Sequence, residues 1–417
     1  MITMDGSPRD AGVRKAYVRG THRSVAPQVT LERVRPLLPV MGITRIANVT
    51  GLDCIGIPVV MVCRPNSRSL SVSQGKGLDL WAAKASGVME SIELYHGEHI
   101  SLPLKLATYE EMRYTHPMVD LAALPRSVSS VFHGDLRLLW IEGHDLLRDE
   151  PAWVPHQVVS VDSTLPFPPG TGCFAGTSNG LASGNHILEA ISHGICEVVE
   201  RDATTLWRVM SDEARARAHL DLSTVDDPGC GEVLEKFEAA GVAVAVWDTT
   251  TDVGIPAFFC HIVDRAVDPL RRVMAASGMG CHPARHIALL RALTEAAQSR
   301  LTYISGARDD FSRELYARRR DPEQLRVSST FVQAGVPARR FGDVPTWEGE
   351  TLEADVAWEL ERLRGAGLDR VIMVDLTKAE LNLPVVRVVI PGLEGPESHI
   401  EGYVYGPRAR ALAGLTP

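Results

Sequence analysis

Three segments of this chain carry polar side chains at a spacing that suits metal or phosphate chemistry. Each segment begins with small residues and ends in Glu-x-x-Glu or Glu-x-x-Gln. The pairs are Glu90 with Glu93, Glu197 with Glu200, and Glu295 with Gln298. Residues at positions i and i+3 lie on one face of a helix, so each segment would present two oxygen-bearing groups together.

The second segment carries the densest set of acidic residues. At about 100° per residue, its polar residues share one sector and its apolar residues share the opposite stripe. The polar set is Glu189, His193, Glu197 and Glu200, and the apolar set is Leu188, Ile191, Ile195 and Val198. A solvated acidic face usually carries Lys or Arg four residues away, but no basic residue occurs between positions 185 and 200. We therefore favour a cation-binding face over a solvated one, and interpret His193 as a hydrogen-bonded neighbour.

A glycine-rich segment, residues 176–184, directly precedes this helix. The backbone N–H groups of such a turn at a helix N-terminus suit a phosphate, although neither a Walker A loop nor a Rossmann fingerprint is present. Carboxylates next to a phosphate require a cation between them, and Mg²⁺ takes one or two carboxylates together with phosphate oxygens. Five glutamates on two helices would serve two or more ions: Glu90, Glu93, Glu189, Glu197 and Glu200.

Further polar residues would complete a phosphate-transfer site. Glu295 and Gln298 would add oxygen ligands or nucleotide contacts. Cationic side chains that neutralise a transferring phosphate are expected in such a site, and the candidates are Arg201, Arg291 and Arg300. The alternative for each arginine is an ordinary salt bridge to the same glutamates.

The elements that must hold these residues alternate between helix and strand. Helices are predicted at 79–98, 185–210, 284–304 and 352–366. Strands are predicted at 42–50, 56–63, 128–142, 156–161, 242–248, 255–263, 272–277, 370–375 and 384–390. Alternation without long linkers favours an α/β (α+β) globule with interlocked subdomains. We predict an N-terminal arm over 1–25 and one domain over 26–417.

Composition excludes several classes of protein. The chain has 417 residues, of which 45% are hydrophobic and 23% charged, ordinary values for a globular protein. Its net charge of −9 argues against a nucleic-acid binder. Seven scattered cysteines without a CxxC pair favour reduced thiols in the cytoplasm. No apolar stretch reaches about 18 residues, so no membrane association is expected. A homodimer stays open.

Several motifs resemble the YcaO family. The stretch from Ser178 to Asp202 resembles its signature, and so do Gly75-Lys76-Gly77 with the first acidic helix and the helix that carries Glu295. The resemblance runs from about residue 20 to 400. It implies a YcaO fold and ATP-dependent chemistry on peptide backbone amides. A nucleophile adds to the amide carbonyl, the resulting oxyanion attacks the γ-phosphate of ATP, and phosphate then leaves.

The resemblance also implies roles for individual residues. The five glutamates match Mg²⁺ and nucleotide-phosphate ligands, with Glu200 and Arg201 in catalytic roles. The implied nucleotide contacts are Ser86, Ser178, Asn185, Arg201, Gln298, Arg300, Arg19 and Arg23. The implied cofactors are ATP and Mg²⁺, and the implied substrate is a ribosomal precursor peptide.

The two ends of the chain bear on the nucleophile. Azoline-forming YcaO members often end in PxPxP, whereas this chain ends in the single Pro417. The segments 19–23, 42–45, 391–394 and 406–410 resemble members that work beside a TfuA protein, which is thought to deliver sulfide. The leading hypothesis is a peptide-thioamidating enzyme with a TfuA-like partner. An azoline- or macroamidine-forming cyclodehydratase stays open, as does a non-catalytic accessory scaffold.

Overall fold

A computed structural model describes residues 12–266, 275–319, 321–333, 335–395 and 403–415. The chain divides into two compact units, each of them discontinuous in sequence. The first unit comprises the chain up to residue 15, Glu93–Val209 and the chain from Gly349 onward; the second comprises Ala16–Ile92 and Met210–Glu348. The arm over 1–25 and the single domain over 26–417 stay predictions, and residues 1–11 of that arm lie outside the described residues.

Helices and strands alternate along the chain, as predicted. The helices of the described residues are α1 (Pro27–Val34), α2 (Leu80–Glu98), α3 (Tyr109–Met112), α4 (Ile187–Val209), α5 (Asp212–Arg217), α6 (Pro228–Ala239), α7 (Arg285–Ser305), α8 (Arg313–Arg319), α9 (Pro322–Gln333), α10 (Leu352–Gly365) and α11 (Pro407–Leu412). The strands are β1 (Arg45–Asn48), β2 (Val59–Cys63), β3 (Val72–Lys76), β4 (Leu104–Thr108), β5 (Arg126–Ser127), β6 (Arg137–Asp145), β7 (Glu150–Pro155), β8 (Leu181–Ser183), β9 (Leu220–Asp221), β10 (Val242–Asp248), β11 (Ala257–Asp264), β12 (Ala276–Cys281), β13 (Arg339–Arg340), β14 (Ile372–Asp375), β15 (Val385–Val389) and β16 (Tyr403–Val404).

The first unit is built on an antiparallel sheet in the order β4-β6-β14-β15-β8, with β7 paired to β6. Helix α4 packs on this sheet through β15 and β8, and α10 and α11 pack on α4. The apolar stripe of α4 is buried at Ile191, Ile195 and Val198 as predicted, whereas Leu188 is only partly buried. The sheet and α4 together form the frame that carries most of the predicted acidic residues.

The second unit contains two three-stranded antiparallel sheets, β1-β2-β3 and β10-β11-β12. Helix α7 packs on β11 and β12 and also contacts β2 and β3. Val246, Phe258 and Leu293 belong to the apolar core of this unit and are fully buried. Burial of each such side chain contributes about 1.5–3 kcal/mol to folding, so this core fixes where α7 lies.

The three acidic helices share a local arrangement, because each begins shortly after a strand. Helix α2 follows β3, α4 follows β8, and α7 follows β12. The first of these pairs is packed backbone to backbone: a Cβ added at Gly75 in β3 would lie 2.1 Å from the Gly87 nitrogen in α2. The small residues at the start of the segments therefore serve close strand–helix packing.

One strand prediction was wrong, and two others overlap the observed strands only in part. Residues 156–161 begin with a short 3₁₀ turn, and the strand precedes it as β7. Pro151 and Pro155 obscure β7 in the sequence. Prolines are largely confined to edge strands, and among the named strands β7 pairs only with β6, while its other side makes a single bridge to Met118 through Trp153. The strand predicted at 272–277 is β12, shifted toward the C-terminus, and residues 272–274 lie outside the described part. Of the segment 128–142, only the part from Arg137 onward is strand.

All seven cysteines are reduced thiols, as predicted. Among the described residues, every helix is too short or too polar to cross a lipid bilayer.

Candidate functional site

Three backbone amides in and beside β8 bind three of the five predicted glutamates. Gly180 N donates to Glu197 Oε2 (3.3 Å), Ser183 N to Glu93 Oε1 (2.8 Å), and Asn185 N to Glu189 Oε2 (2.9 Å). Hydrogen bonds to an ionised carboxylate are short and about twice as strong as neutral ones. The segment 180–185 therefore determines where these carboxylates point.

This arrangement corrects one sequence-based expectation. The glycine-rich segment was predicted to offer its N–H groups to a phosphate at the N-terminus of the helix. Instead, β8 separates Gly180 from α4, and two amides of the segment, together with that of the next residue, Asn185, orient carboxylates. The glycine-rich composition of 176–184 predicts one continuous turn and gives no sign of the strand β8 within it.

The acidic face of α4 is not solvated. Glu189 is 2% exposed and Glu200 is 7% exposed. Arg201 Nη2 lies 3.7 Å from Glu197 Oε1 and 3.7 Å from Glu200 Oε1. The structure thus brings the two predicted catalytic residues, Glu200 and Arg201, together with Glu197.

The residue after Arg201 anchors the same turn of α4. Asp202 is fully buried and accepts two hydrogen bonds of 3.1 Å from Arg408 and one of 2.8 Å from Glu394 N. Burial raises the pKa of Asp202 to about 6, while Arg408 opposes the shift. The segments 391–394 and 406–410, singled out by the family resemblance, therefore meet at helix α4.

Helix α2 carries Ser86, Glu90 and Glu93, all of them partly buried. The boundary between the units falls inside this helix, after Ile92, so Ser86 and Glu90 belong to the second unit. Burial acts to lower the pKa of Arg308, but its ion pair with Asp310 and, to a smaller extent, the charge of Glu90 raise it.

Helix α7 carries Glu295 and Gln298. Glu295 Oε2 lies 2.9 Å from Lys76 Nζ, and Glu295 Oε1 accepts a hydrogen bond of 3.4 Å from Met279 N. Gln298 Oε1 is buried and has no hydrogen-bond partner within the described part of the chain. A buried amide oxygen that accepts no hydrogen bond is consistent with a residue that contacts a bound ligand.

Arg300, predicted to contact the nucleotide, is engaged elsewhere. Its guanidinium is buried and binds Asp53 at 2.9 Å and Asp264 at 2.8 Å. The salt-bridge alternative holds for this arginine, although its partners are aspartates and not the predicted glutamates. A nucleotide contact by Arg300 stays a prediction that this geometry does not favour.

The remaining predicted cationic residues lie on loops or make backbone contacts. Tyr17 and Arg23 pair their backbones in both directions at 2.9 Å, which closes a turn that presents the exposed Arg19. Arg291 donates to Cys281 O at 3.4 Å. Ser178 is exposed on the turn before β8.

Sequence analysis missed Arg387, which lies in β15 and is 3% exposed. Its Nη2 donates to Thr177 O at 2.7 Å. Burial lowers the pKa of Arg387 to about 10, and the charge of Glu197 opposes that shift. The available signal was a single arginine within the otherwise apolar run Val385–Val389.

The donor set in the first unit fits Mg²⁺ bound to phosphate. Its candidate ligands are carboxylate oxygens oriented by backbone N–H groups, with Arg201 close by. Mg²⁺ is held by one or two carboxylates together with phosphate oxygens and water. Across the described ranges, no three His, Cys, Asp or Glu side chains are grouped so as to hold a metal ion by themselves.

Comparison with known proteins places this geometry in context. Residues 74–394 match the family model described as YcaO cyclodehydratase, ATP- and Mg²⁺-binding. A protein of Rhizobium leguminosarum bv. trifolii, described as an uncharacterized protein in the tfuA 3′ region, is 38% identical over 378 residues, which are 89% of this chain and 88% of that protein.

Two solved structures share the fold. A heterocyclase in complex with substrate and cofactor superposes with a TM-score of 0.76 at 23% identity over 93% of this chain. This chain covers 54% of that heterocyclase, about half of its length. A Methanopyrus kandleri protein bound with AMPPCP and Mg²⁺ superposes with a TM-score of 0.71 at 24% identity, over 91% of this chain and 94% of the other. At these identities the likeness concerns the fold.

Proposed function

The chain belongs to the YcaO family, and from this premise we propose that it uses ATP and Mg²⁺ to replace the oxygen of a peptide backbone amide by sulfur. Sulfide adds to the amide carbonyl, the oxyanion takes the γ-phosphate of ATP, and the former carbonyl oxygen leaves with phosphate. The net products are a thioamide, ADP and phosphate. Phosphorylation is needed because oxide is a poor leaving group.

The observation that carries the ATP and Mg²⁺ part of this proposal is the set of three glutamates held by the amides of Gly180, Ser183 and Asn185. A nucleoside triphosphate carries several negative charges. Bound Mg²⁺ would neutralise part of this charge and hold the γ-phosphate for attack by the oxyanion. The chain's own part is to fix the carboxylates beforehand, so that no side-chain ordering is required on binding.

We assign the proposed roles as follows. The Mg²⁺ ligands are Glu90, Glu93, Glu189, Glu197 and Glu200. The nucleotide contacts are Ser86, Ser178, Asn185, Gln298, Arg19 and Arg23. Arg201, a cation 3.7 Å from two of the glutamates, would stabilise the charge that develops on the transferring phosphoryl group. Glu200 is the second catalytic candidate, as a ligand beside that group.

The sulfur nucleophile and the TfuA-like partner rest on a relative. The Rhizobium protein, 38% identical, is described as lying in the tfuA 3′ region. We propose that a TfuA-like protein delivers sulfide to this chain and that the substrate is a ribosomal precursor peptide.

The proposal is tested by incubating the protein with ATP, Mg²⁺, sulfide, the TfuA-like protein and the precursor peptide encoded nearby, followed by mass spectrometry. Exchange of oxygen for sulfur raises the peptide mass by the difference between the two atoms, whereas azoline formation lowers it by one water. Omission of sulfide is the matched control. A modified peptide that forms equally well without sulfide contradicts thioamidation and favours ring closure.

An accessory scaffold is the second candidate function, and ADP release measured in the same incubation distinguishes it from an enzyme. A scaffold would bind the peptide without releasing ADP, since it carries out no phosphoryl transfer. Peptide-dependent ADP release, in contrast, requires the glutamates to act on bound nucleotide.

A further inference from the structure

Arg387 occupies an unusual position for an arginine. It lies in β15, where it pairs with Val374 of β14 on one side and Leu181 of β8 on the other. The strand is otherwise Val385, Val386, Val388 and Val389, all buried. A charged side chain in such a strand costs free energy unless it is paired, so its presence calls for a specific role.

The side chain of Arg387 reaches the turn before β8. Its Nη2 donates to Thr177 O at 2.7 Å. The next residue of β15 holds the other end of the turn, because Val388 N donates to Gly180 O at 2.8 Å. Gly180 has φ +81°, and a Cβ there would lie 2.3 Å from Val388 O. Two consecutive residues of β15, Arg387 and Val388, thus hold the two ends of the turn 177–180 by hydrogen bonds.

The same turn holds Glu197. Gly180 N donates to Glu197 Oε2 at 3.3 Å. Burial lowers the pKa of Arg387, and the charge of Glu197 opposes that lowering. Glu197 thus has the cation Arg201 on its own helix, at 3.7 Å. Arg387 of the sheet binds the turn whose amide donates to Glu197. Arg201 is 26% exposed at its side chain, whereas Arg387 is buried.

The guanidinium of Arg387 has two further nitrogen donors besides Nη2. Nε and Nη1 are buried and find no hydrogen-bond partner in the described part of the chain. A buried donor that lacks a partner is normally avoided. The charge is retained at this cost beside the turn whose Gly180 N–H donates to Glu197, a predicted Mg²⁺ ligand, and this indicates an electrostatic task in addition to the single hydrogen bond.

We propose that Arg387 is a positioning residue with two separable tasks: it fixes the turn 177–180 through Thr177 O, and it supplies a buried counter-charge to Glu197. This inference rests on the proposed function, since it gives Glu197 a place in the Mg²⁺·ATP site. Arg387 itself would not touch the reacting atoms. It would keep the amide of Gly180 in place. It would also partly neutralise the negative charge of the glutamates while no nucleotide is bound.

The first task is tested without any ligand, by hydrogen exchange at the amides of residues 177–181 in the full chain. The variants are Arg387→Gln, which loses the charge, and Arg387→Lys, which keeps the charge but cannot reproduce the guanidinium geometry. Both variants should speed exchange in the turn by about tenfold, the effect of losing one hydrogen bond of about 1.4 kcal/mol. Unchanged exchange in both variants would overturn this task.

The second task is tested by calorimetric titration at low salt, with Mg²⁺ alone and with ATP in the presence of a chelator. Removal of one positive charge has opposite effects on a cation and an anion. Arg387→Gln should bind Mg²⁺ about tenfold more tightly and metal-free ATP about tenfold more weakly than the unmodified protein, whereas Arg387→Lys should restore both values. A merely structural role would weaken both ligands together, and that result would overturn the counter-charge.

The matched control is Arg370→Gln, which removes one positive charge from a partly buried position in the same unit. Arg370 pairs with Asp145 at 3.7 Å and Glu150 at 3.2 Å. It should change neither the exchange of the turn nor the two affinities, and equal effects in both variants would overturn the specific role of Arg387. If the unmodified protein fails to bind Mg²⁺·ATP, the proposed function falls, while the exchange comparison still decides the structural task.

Discussion

Ser183 donates both its backbone N–H and its hydroxyl to one oxygen of Glu93, over 2.8 and 2.7 Å. Ser183 ends β8 and is 3% exposed, and Glu93 lies in the last turns of α2. The carboxylate of Glu93 is therefore oriented by a residue that lies 90 positions away in sequence. Two donors on one oxygen fix the direction of the carboxylate more firmly than one.

Ser183→Ala removes one of these donors and leaves the backbone bond intact. A single hydrogen bond contributes about 1 kcal/mol, so the Mg²⁺ concentration that gives half-maximal ATP turnover should rise about fivefold. The measurement is a Mg²⁺ titration of ADP release at saturating peptide. Ser129→Ala, at an exposed loop position, is the control and should leave the titration unchanged. An unaltered titration in Ser183→Ala would remove Glu93 from the metal site.

Glu197→Gln and Glu200→Gln each neutralise a carboxylate without changing its size. Loss of a metal-ligand charge should lower ATP turnover by a factor on the order of 100 or more, because even partners outside the ligand set cost about 10–100-fold. The assay is peptide-dependent ADP release. Glu235→Gln, on the exposed side of α6, should keep full turnover. Normal turnover in both site variants would contradict the assignment.

Arg300→Met should destabilise the protein without changing nucleotide affinity. The substitution leaves Asp53, whose side chain is 4% exposed, as a buried carboxylate without its cation. Removal of one partner of a buried ion pair costs about 3 kcal/mol or more, which urea unfolding measures. ATP affinity, measured by titration well below the unfolding transition, should stay within about twofold. A variant that keeps its stability and loses ATP binding would restore Arg300 as a nucleotide contact.

Glu359 should make folding stability depend on pH. It is fully buried in α10, where its Oε1 accepts a hydrogen bond of 2.6 Å from Ser192, and burial raises its pKa well above the ordinary 4.5. The folded state therefore keeps a proton that the unfolded state releases. The contribution of Glu359 to the free energy of unfolding is full below about pH 4.5 and is lost as pH rises.

Glu359→Gln tests this dependence, because the amide is neutral at every pH. The free energy of unfolding of the unmodified protein, relative to the variant, should fall as pH rises from about 5 to about 8, with a slope of up to about 1.4 kcal/mol per pH unit. Urea unfolding at several pH values gives both curves. Parallel curves for the two proteins would show that Glu359 is ionised in the folded state.

Local spacing was enough to predict the acidic helices. The three segments form α2, α4 and α7 within two residues of their predicted limits, since helix periodicity and i,i+3 pairs depend on neighbouring residues alone. The burial of Ile191, Ile195 and Val198 follows from the same periodicity. The family signature lies in these helices, so the sequence by itself also identified the family.

Tertiary structure alone decided what orients these residues. The donors to Glu93 and Glu197, the pairing of Arg300 with Asp53, and the placement of Arg387 beneath the turn all join residues far apart in sequence. No periodicity encodes such contacts, because they depend on which strands pair in the sheet and which buried charge finds a partner. The sequence determined the types of ligand that the site offers; the fold determined which backbone amides and arginines hold them.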